Sequence, residues 1–382
     1  MVELTRRRVL LGTAGAGAAG TGYWLASTDC PTPESPTWAF EGTHWSPPVR
    51  EGKFLLASEQ YGYTLSPQSR IVCLNARTGS PQWIDTAVDS GAGIPRVHED
   101  TVFLGVGYGE VRALGLETGH RRWSFEADGA GEGTVGLFDR PIVTSGSVVT
   151  AATRRTEGDS YESLVVGLDR ADGAVRWRTN IPGSAYLPPA KSGDTVVVAT
   201  ADGAVSGVAA ETGDQLWRET VPGSEPLRPL AGDDRVFLAT GGDSPGVAGV
   251  GPDGVGWRRP LSGNPTALDR TDGGLLVGDE TGELTAVTAD GTVQWRTQLR
   301  ERVGAVAVAE EYTWAIDQAG HLYRVDPQSG EVADRWFVAH NRDGDRCRWP
   351  LGPRVASGLA GRGEGVILTT WNRIRLFGGL VD

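Results

Sequence analysis

The stretch AETGDQLW, Ala210 to Trp217, is written several times over in this chain. A glycine preceded by Thr or Asp and followed shortly by a tryptophan describes a tight turn that opens a strand bearing one large aromatic side chain. Its relatives are RTGSPQW ending at Trp83, ETGHRRW at Trp123, ADGAVRW at Trp177, PDGVGW at Trp257, ADGTVQW at Trp295 and QSGEVADRW at Trp336. Successive tryptophans lie 40, 54, 40, 40, 38 and 41 residues apart. A period near 40 is the mark of a repeat architecture.

Each period also carries two strand-like runs. The first is rich in β-branched and aromatic residues: KFLLAS from Lys53, TVFLGVG from Thr101, SVVTAAT from Ser147, TVVVAT from Thr195, RVFLAT from Arg235, GLLVGD from Gly274, YTWAID from Tyr312 and GVILTT from Gly365. A short polar or glycine turn and a second strand follow each, with no helical pattern between them. Hairpins stepping along a chain in this way predict an all-β propeller of four-stranded antiparallel blades. Eight runs imply eight blades, with seven as the alternative. Seven turn-and-tryptophan units follow the eight runs, and the eighth tryptophan stands at the other end, in Trp38-Ala-Phe40. The N-terminal strand is therefore expected to complete the last blade and remove an open sheet edge.

In this scheme Gly79, Gly119, Gly173, Gly213, Gly254, Gly291 and Gly330 occupy the turn between third and fourth strands, and Trp38, Trp83, Trp123, Trp177, Trp217, Trp257, Trp295 and Trp336 wedge against the neighbouring blade. Each buried indole removes on the order of 200 Å² from water, worth ~5 kcal/mol before entropy is subtracted. Cys73 falls at a small position of the repeat, where other copies have Ala113, Gly167, Gly207 or Ala248.

These units resemble the PQQ-like propeller repeat, whose tryptophan-docking motif runs approximately A-x-D-x-x-T-G-x-x-x-W. The resemblance covers Trp38 to Asp382. It implies the propeller fold, and its members include quinoprotein alcohol dehydrogenases and the lipoprotein propeller of the outer-membrane barrel-assembly machinery. The dehydrogenases carry adjacent cysteines against the quinone and an acidic base beside calcium. No adjacent cysteines occur here and none of the cofactor-contacting residues can be placed, so neither pyrroloquinoline quinone nor calcium is expected, and the chain resembles the assembly lipoprotein more.

The chain of 382 residues contains 48 acidic against 36 basic residues, a formal charge of −12, with Lys53 and Lys191 its two lysines. That balance argues against a nucleic-acid partner and resembles salt-adapted surfaces. Residues 1–27 read as a twin-arginine-type export signal, Thr5-Arg6-Arg7-Arg8-Val9-Leu10 followed by an Ala/Gly-rich apolar run, with a single N-terminal membrane anchor as the rival reading. Residues 28–37 form a Pro-rich leader and 38–382 the propeller. Cys30 suggests lipidation, although Asp29 occupies the place where a small residue belongs.

Candidate chemistry is sparse. Gly15-Ala-Gly17-Ala-Ala-Gly20 and Gly131-Glu-Gly133-Thr-Val-Gly136 match G-x-G-x-x-G but lack the strand, helix and acidic partner of a dinucleotide site. The five histidines show no ligand spacing, and Asn341-Arg-Asp343-Gly-Asp345 lacks the full calcium ladder. A Cys30–Cys347 disulfide would latch the closing blade of an exported protein; the alternative is three unpaired thiols. Departures from the repeat mark where function is expected. They are the long third period with 128–136 and Arg154 to Tyr161, Tyr61 with Tyr63, and the 340–349 connection with His340, Arg342, Arg346, Arg348 and Trp349. Those arginines either form an interaction hot spot or pair with rim carboxylates.

The function expected is an exported, extracytoplasmic, non-catalytic scaffold, monomeric and secreted or held at the cell surface, that binds another exported or membrane protein. Alternatives are a quinone-dependent dehydrogenase and a carbohydrate- or small-ligand-binding propeller.

Overall fold

A computed structural model describes residues 35–378 apart from 43–44, 62–67, 89–90, 107–108, 128–140, 145, 156–159, 186–187, 224–229, 233–234, 309–311, 339–357, 362–364 and 370–372. Every element among them is a strand, and they form eight four-stranded antiparallel sheets. Blade 1 comprises Val49–Glu51, Phe54–Tyr61, Gln68–Asn75 and Pro81–Val88; blade 2, Arg96–His98, Thr101–Val106, Glu110–Gly115 and Arg121–Glu126. Blade 3 comprises Ile142–Val143, Ser147–Arg155, Tyr161–Asp169 and Val175–Pro182; blade 4, Ala190–Ser192, Thr195–Ala199, Ala204–Ala209 and Gln215–Thr220. Blade 5 comprises Leu230–Ala231, Val236–Thr240, Gly246–Gly251 and Gly254–Pro260; blade 6, Pro265–Thr271, Gly274–Asp279, Glu283–Thr288 and Val293–Gln298. Blade 7 comprises Val303–Val308, Thr313–Asp317, His321–Val325 and Val332–Phe337. Blade 8 takes Gly358–Gly361, Gly365–Thr369 and Arg373–Gly378 from the C-terminal region and Trp38–Glu41 from the N-terminal one.

Among the residues whose side chains are described, the second and third strands are buried almost throughout, covered on both faces, which explains their continuous apolar character. Fourth strands alternate exposed with covered residues, as RRWSFE of blade 2 does, because one face packs on the next blade and the outer edge meets solvent. First strands of neighbouring blades touch one another, so they line the axis of the ring and the fourth strands form its rim.

Core clusters straddle blades rather than sit within them. Leu56, Ile71 and Cys73 of blade 1 pack with Val102, Leu104 and Leu114 of blade 2, and the same relation recurs around the ring. At the closing point Trp38, Phe40 and Leu376 of blade 8 pack against Leu55, Val72 and Leu74 of blade 1. The register Trp38↔Leu376 and Phe40↔Ile374 places the N-terminal strand on the outer edge of the last blade. Burial pushes the Cys73 thiol up to about 12.

Candidate functional site

The turn after each third strand is built by its own polar residues. In blade 3 the Asp169 carboxylate accepts the Ala171 N–H at 2.8 Å, and the Gly173 N–H returns to the Asp169 carbonyl at 2.9 Å. That closure puts Gly173 at φ 77°, a conformation inexpensive only without a Cβ. The absent Cβ also makes room, since an added one would lie 2.6 Å from the ring of Trp123. Each indole thus seats on the next blade's turn glycine, and its N–H is donated to a carbonyl in the same turn. Trp38 reaches Ala76 at 3.2 Å, Trp83 Leu116 at 2.7 Å, Trp123 Arg170 at 3.1 Å, Trp177 Ala210 at 3.1 Å, Trp257 Ala289 at 2.9 Å and Trp295 Pro327 at 2.9 Å.

Two tryptophans depart from this pattern. In most blades the fourth strand bulges just before the tryptophan, so that Trp177, for example, faces Gly167 across the ladder. Blade 5 reaches the same pairing, Gly249↔Trp257, through a shorter hairpin in which Gly251 faces Gly254 directly. The small residue opposite Trp257 is thus Gly249; Ala248 faces Arg258. Gly254 consequently seats no indole: a Cβ there would meet nothing nearer than Glu219 at 3.8 Å. Trp217 packs on the core between blades 4 and 5, but among the described residues its N–H has no acceptor. In blade 7 the hairpin and its bulge keep the regular length, but Asp334 occupies the position where other blades place the indole and pairs with Arg324. Trp336 instead faces Leu322 and lies 5.9 Å from Trp314 of its own blade.

The carboxylates buried at the ends of second strands are spent on local donors. Asp279 accepts the N–H groups of Gly263 at 3.0 Å, Thr281 at 2.9 Å and Glu283 at 3.0 Å. Asp317 accepts the His321 N–H at 2.9 Å and the Tyr323 hydroxyl at 2.7 Å, and burial followed by this contact raises the phenol well above its ordinary value. Nothing in the tryptophan motif pointed to these two; the signal available was an Asp at the end of GLLVGD and YTWAID. Turn aspartates on the surface sit below the usual carboxylate range, Asp326 mainly through the Ser329 backbone N–H and Asp253 mainly through Arg235. Among the described residues no group of three or more His, Cys, Asp or Glu could hold a metal ion, and no helix is long and apolar enough to cross a membrane.

Of the interaction residues singled out from the sequence, Tyr61 ends the second strand of blade 1, opposite Gln68. Tyr63, His340, Arg342, Arg346, Arg348, Trp349, Cys30 and Cys347 lie outside the described residues. A feature invisible in the motif is the rim charge. The outer strands of blades 3 to 6 carry Arg176, Arg178, Arg218, Arg258, Arg259 and Arg296 against one carboxylate, Glu219. Arg218 and Arg296 each reach back to a carbonyl of the preceding blade, Pro182 and Pro260, at 3.3 Å.

A family model described as outer membrane protein assembly factor BamB matches residues 18–157, 146–269 and 247–345. No curated protein matches the chain. Among solved structures, BamB from Moraxella catarrhalis is similar at 15% identity, covering 90% of this chain and 99% of that one with a TM-score of 0.61. Sqt1 of Saccharomyces cerevisiae gives 11% identity, coverage of 91% and 99%, and a TM-score of 0.67. Sqt1 of Chaetomium thermophilum bound to the N-terminus of the ribosomal protein L10 gives 12%, 88%, 96% and 0.65. At these identities the likeness is one of fold.

Proposed function

We propose, from the premise that this chain belongs to the family of outer membrane protein assembly factor BamB, that it is a non-catalytic protein-interaction scaffold working outside the cytoplasm at the cell surface. The observation that carries this is how the repeated polar groups are used. Turn aspartates, indole N–H groups and second-strand carboxylates are committed to holding turns and blades, as at Asp169, Trp123 and Asp279. Rim and loop surfaces are left to recognise a partner. Similarity to a propeller solved with the N-terminus of another protein bound to it lends support. Location outside the cytoplasm draws on the Thr5 to Leu10 export pattern.

The test is native co-purification from membrane and secreted fractions, with and without replacement of the 340–349 connection. A defined protein partner recovered from either fraction is expected. Quinone-dependent dye reduction with an alcohol or sugar, or saturable glycan binding without any protein partner, would overturn the scaffold.

A further inference from the structure

We propose that the outer seam between blades 4 and 5 docks an extended segment of another protein in which apolar and acidic residues alternate, the segment adding as a fifth strand to blade 4. The proposal rests on the scaffold reading and gives it a surface and a partner chemistry.

Blade 4 ends in Gln215–Thr220, which is hydrogen-bonded on one side only, to Ala204–Ala209. All outer strands share that property, and most are guarded by a polar residue at the bulge before the tryptophan: Gln82, Arg122, Arg176 and Gln294. In blade 4 that residue is Leu216, at 55% the most exposed of the large apolar side chains. Arg176, its equivalent in blade 3, reaches across to Glu211 in the turn of blade 4, so the position points at the next blade's turn. Blade 5 answers with the shortened hairpin, in which Trp257 stands eight positions beyond Gly249 where in blade 4 Trp217 stands ten beyond Gly207. The bulge position is exposed in each of these blades, so a leucine there presents apolar surface to solvent; the shortened turn in addition leaves the Trp217 indole N–H without an acceptor among the described residues, and Val255 on the facing strand is exposed as well. The outer strands of blades 4 and 5 touch here.

A strand laid along this edge has side chains on both faces, with a period of two. On the blade 5 side it meets Leu216 and Trp217, which favours apolar residues. On the opposite side lies Arg218, which points back to blade 3; it and Arg258 and Arg259 of blade 5 meet backbone carbonyls, whereas Arg176 and Arg296 on the flanking blades are paired with carboxylates. Acidic residues fit that side in an otherwise acidic protein.

The probe is a labelled, end-capped octapeptide of alternating valine and aspartate, followed by fluorescence anisotropy, with a valine–lysine peptide as control. Saturable binding of the first is expected, with hydrogen-exchange protection of the amides of 215–220. Leu216→Ser, an exposed change that leaves the core intact, should weaken it about ten-fold. Replacing Val250–Gly256 with the Val208–Leu216 sequence VAAETGDQL, which restores the regular turn, should abolish it. Equal binding by Leu216→Ser, binding of the lysine peptide, no binding up to millimolar peptide, or a self-dimer that Leu216→Ser dissociates would each overturn the proposal. A co-purified partner retained by Leu216→Ser overturns the seam and leaves the scaffold standing. Loss of any co-purified partner with peptide binding intact does the reverse.

Discussion

Gly173→Ala separates the two demands that the motif places on its glycine. Gly173 has φ 77°, and a left-handed backbone costs an alanine about 1–2 kcal/mol. The new methyl would also stand 2.6 Å from the Trp123 ring, so the indole must move by roughly 1 Å. Displacement gives up the hydrogen bond to Arg170, worth about 1 kcal/mol, and part of the ring's packing, worth about 2 kcal/mol. The expected loss is therefore about 4–5 kcal/mol. Gly193→Ala, at φ 56° with open space around the site, should cost only the backbone share, about 1–2 kcal/mol. In a Trp123→Ala background, Gly173→Ala should likewise fall to about 1–2 kcal/mol, a coupling of about 3 kcal/mol. Urea unfolding followed by far-UV circular dichroism at a common midpoint concentration gives the four corners of the cycle. A coupling below about 0.5 kcal/mol, or equal costs at Gly173 and Gly193, would refute the seat between blades.

Gly254→Ala should behave like Gly193→Ala in the same unfolding assay, since no indole rests on Gly254. Trp38→Ala should destabilise by about 3–5 kcal/mol and open the ring at blade 8, read as new cleavage near Trp38–Glu41 in limited proteolysis. Asp169, Asp253, Asp290 and Asp326 all sit below their ordinary carboxylate values in the folded chain. Their stabilisation is therefore present above the unfolded value, near pH 4, and is lost as pH falls through the folded values. Asp326→Asn should flatten the acid limb of a stability–pH curve, with little sensitivity to salt because its partners are backbone and hydroxyl groups of Ser329 and Gln328. Cys73, raised to about 12 and buried, should resist alkylation at pH 8 until denaturant is added. Denatured, unreduced protein should then show one free thiol if Cys30 pairs with Cys347, and three if it does not.

The propeller was legible because its turn chemistry is local. A glycine forced to positive φ and an indole at fixed distance leave the same trace in each copy, as at Gly79, Gly119 and Gly173, while the side chain over the turn varies, Asn75 in the first and Asp169 in the third. The place of Trp38 in the last blade was legible by subtraction, one tryptophan short at one end and one spare at the other. What the motif hid was ladder register. PDGVGW and QSGEVADRW each contain a glycine and a tryptophan, yet one is shorter and the other longer than ETGDQLW. In the first the hairpin itself is two residues shorter while the tryptophan keeps its place after the bulge, and in the second the hairpin keeps its length while the tryptophan stands two residues further on. The 38-residue interval before Trp295 and the two residues separating Gly254 from Trp257 were the available clues. Asp279 and Asp317 escaped notice because backbone N–H groups, which a sequence does not display, are among their partners, beside the Thr281 and Tyr323 hydroxyls.

The two irregular seams have opposite consequences, and the difference lies in which partner was altered. In blade 7 the docking position itself changed, to Asp334, and a polar set replaced the indole: Arg324 pairs with Asp334 and lies 4.6 Å above the Tyr312 ring. The tryptophan moved two residues on and found Trp314 within its own blade. In blade 4 the wedge was kept and its seat was removed from the neighbour. Trp217 retains its contacts with the core between blades 4 and 5, but the turn that would satisfy its N–H is two residues too short. A structural repair would replace Leu216 with the Gln or Arg that stands at the bulge in blades 1, 2, 3 and 6, at no cost in packing. An exposed leucine beside an unspent indole is instead what a strand-binding edge requires. If that edge is unused, Leu216→Arg should be silent in every assay, peptide binding included; if it is used, the same change should release the partner without lowering the unfolding midpoint.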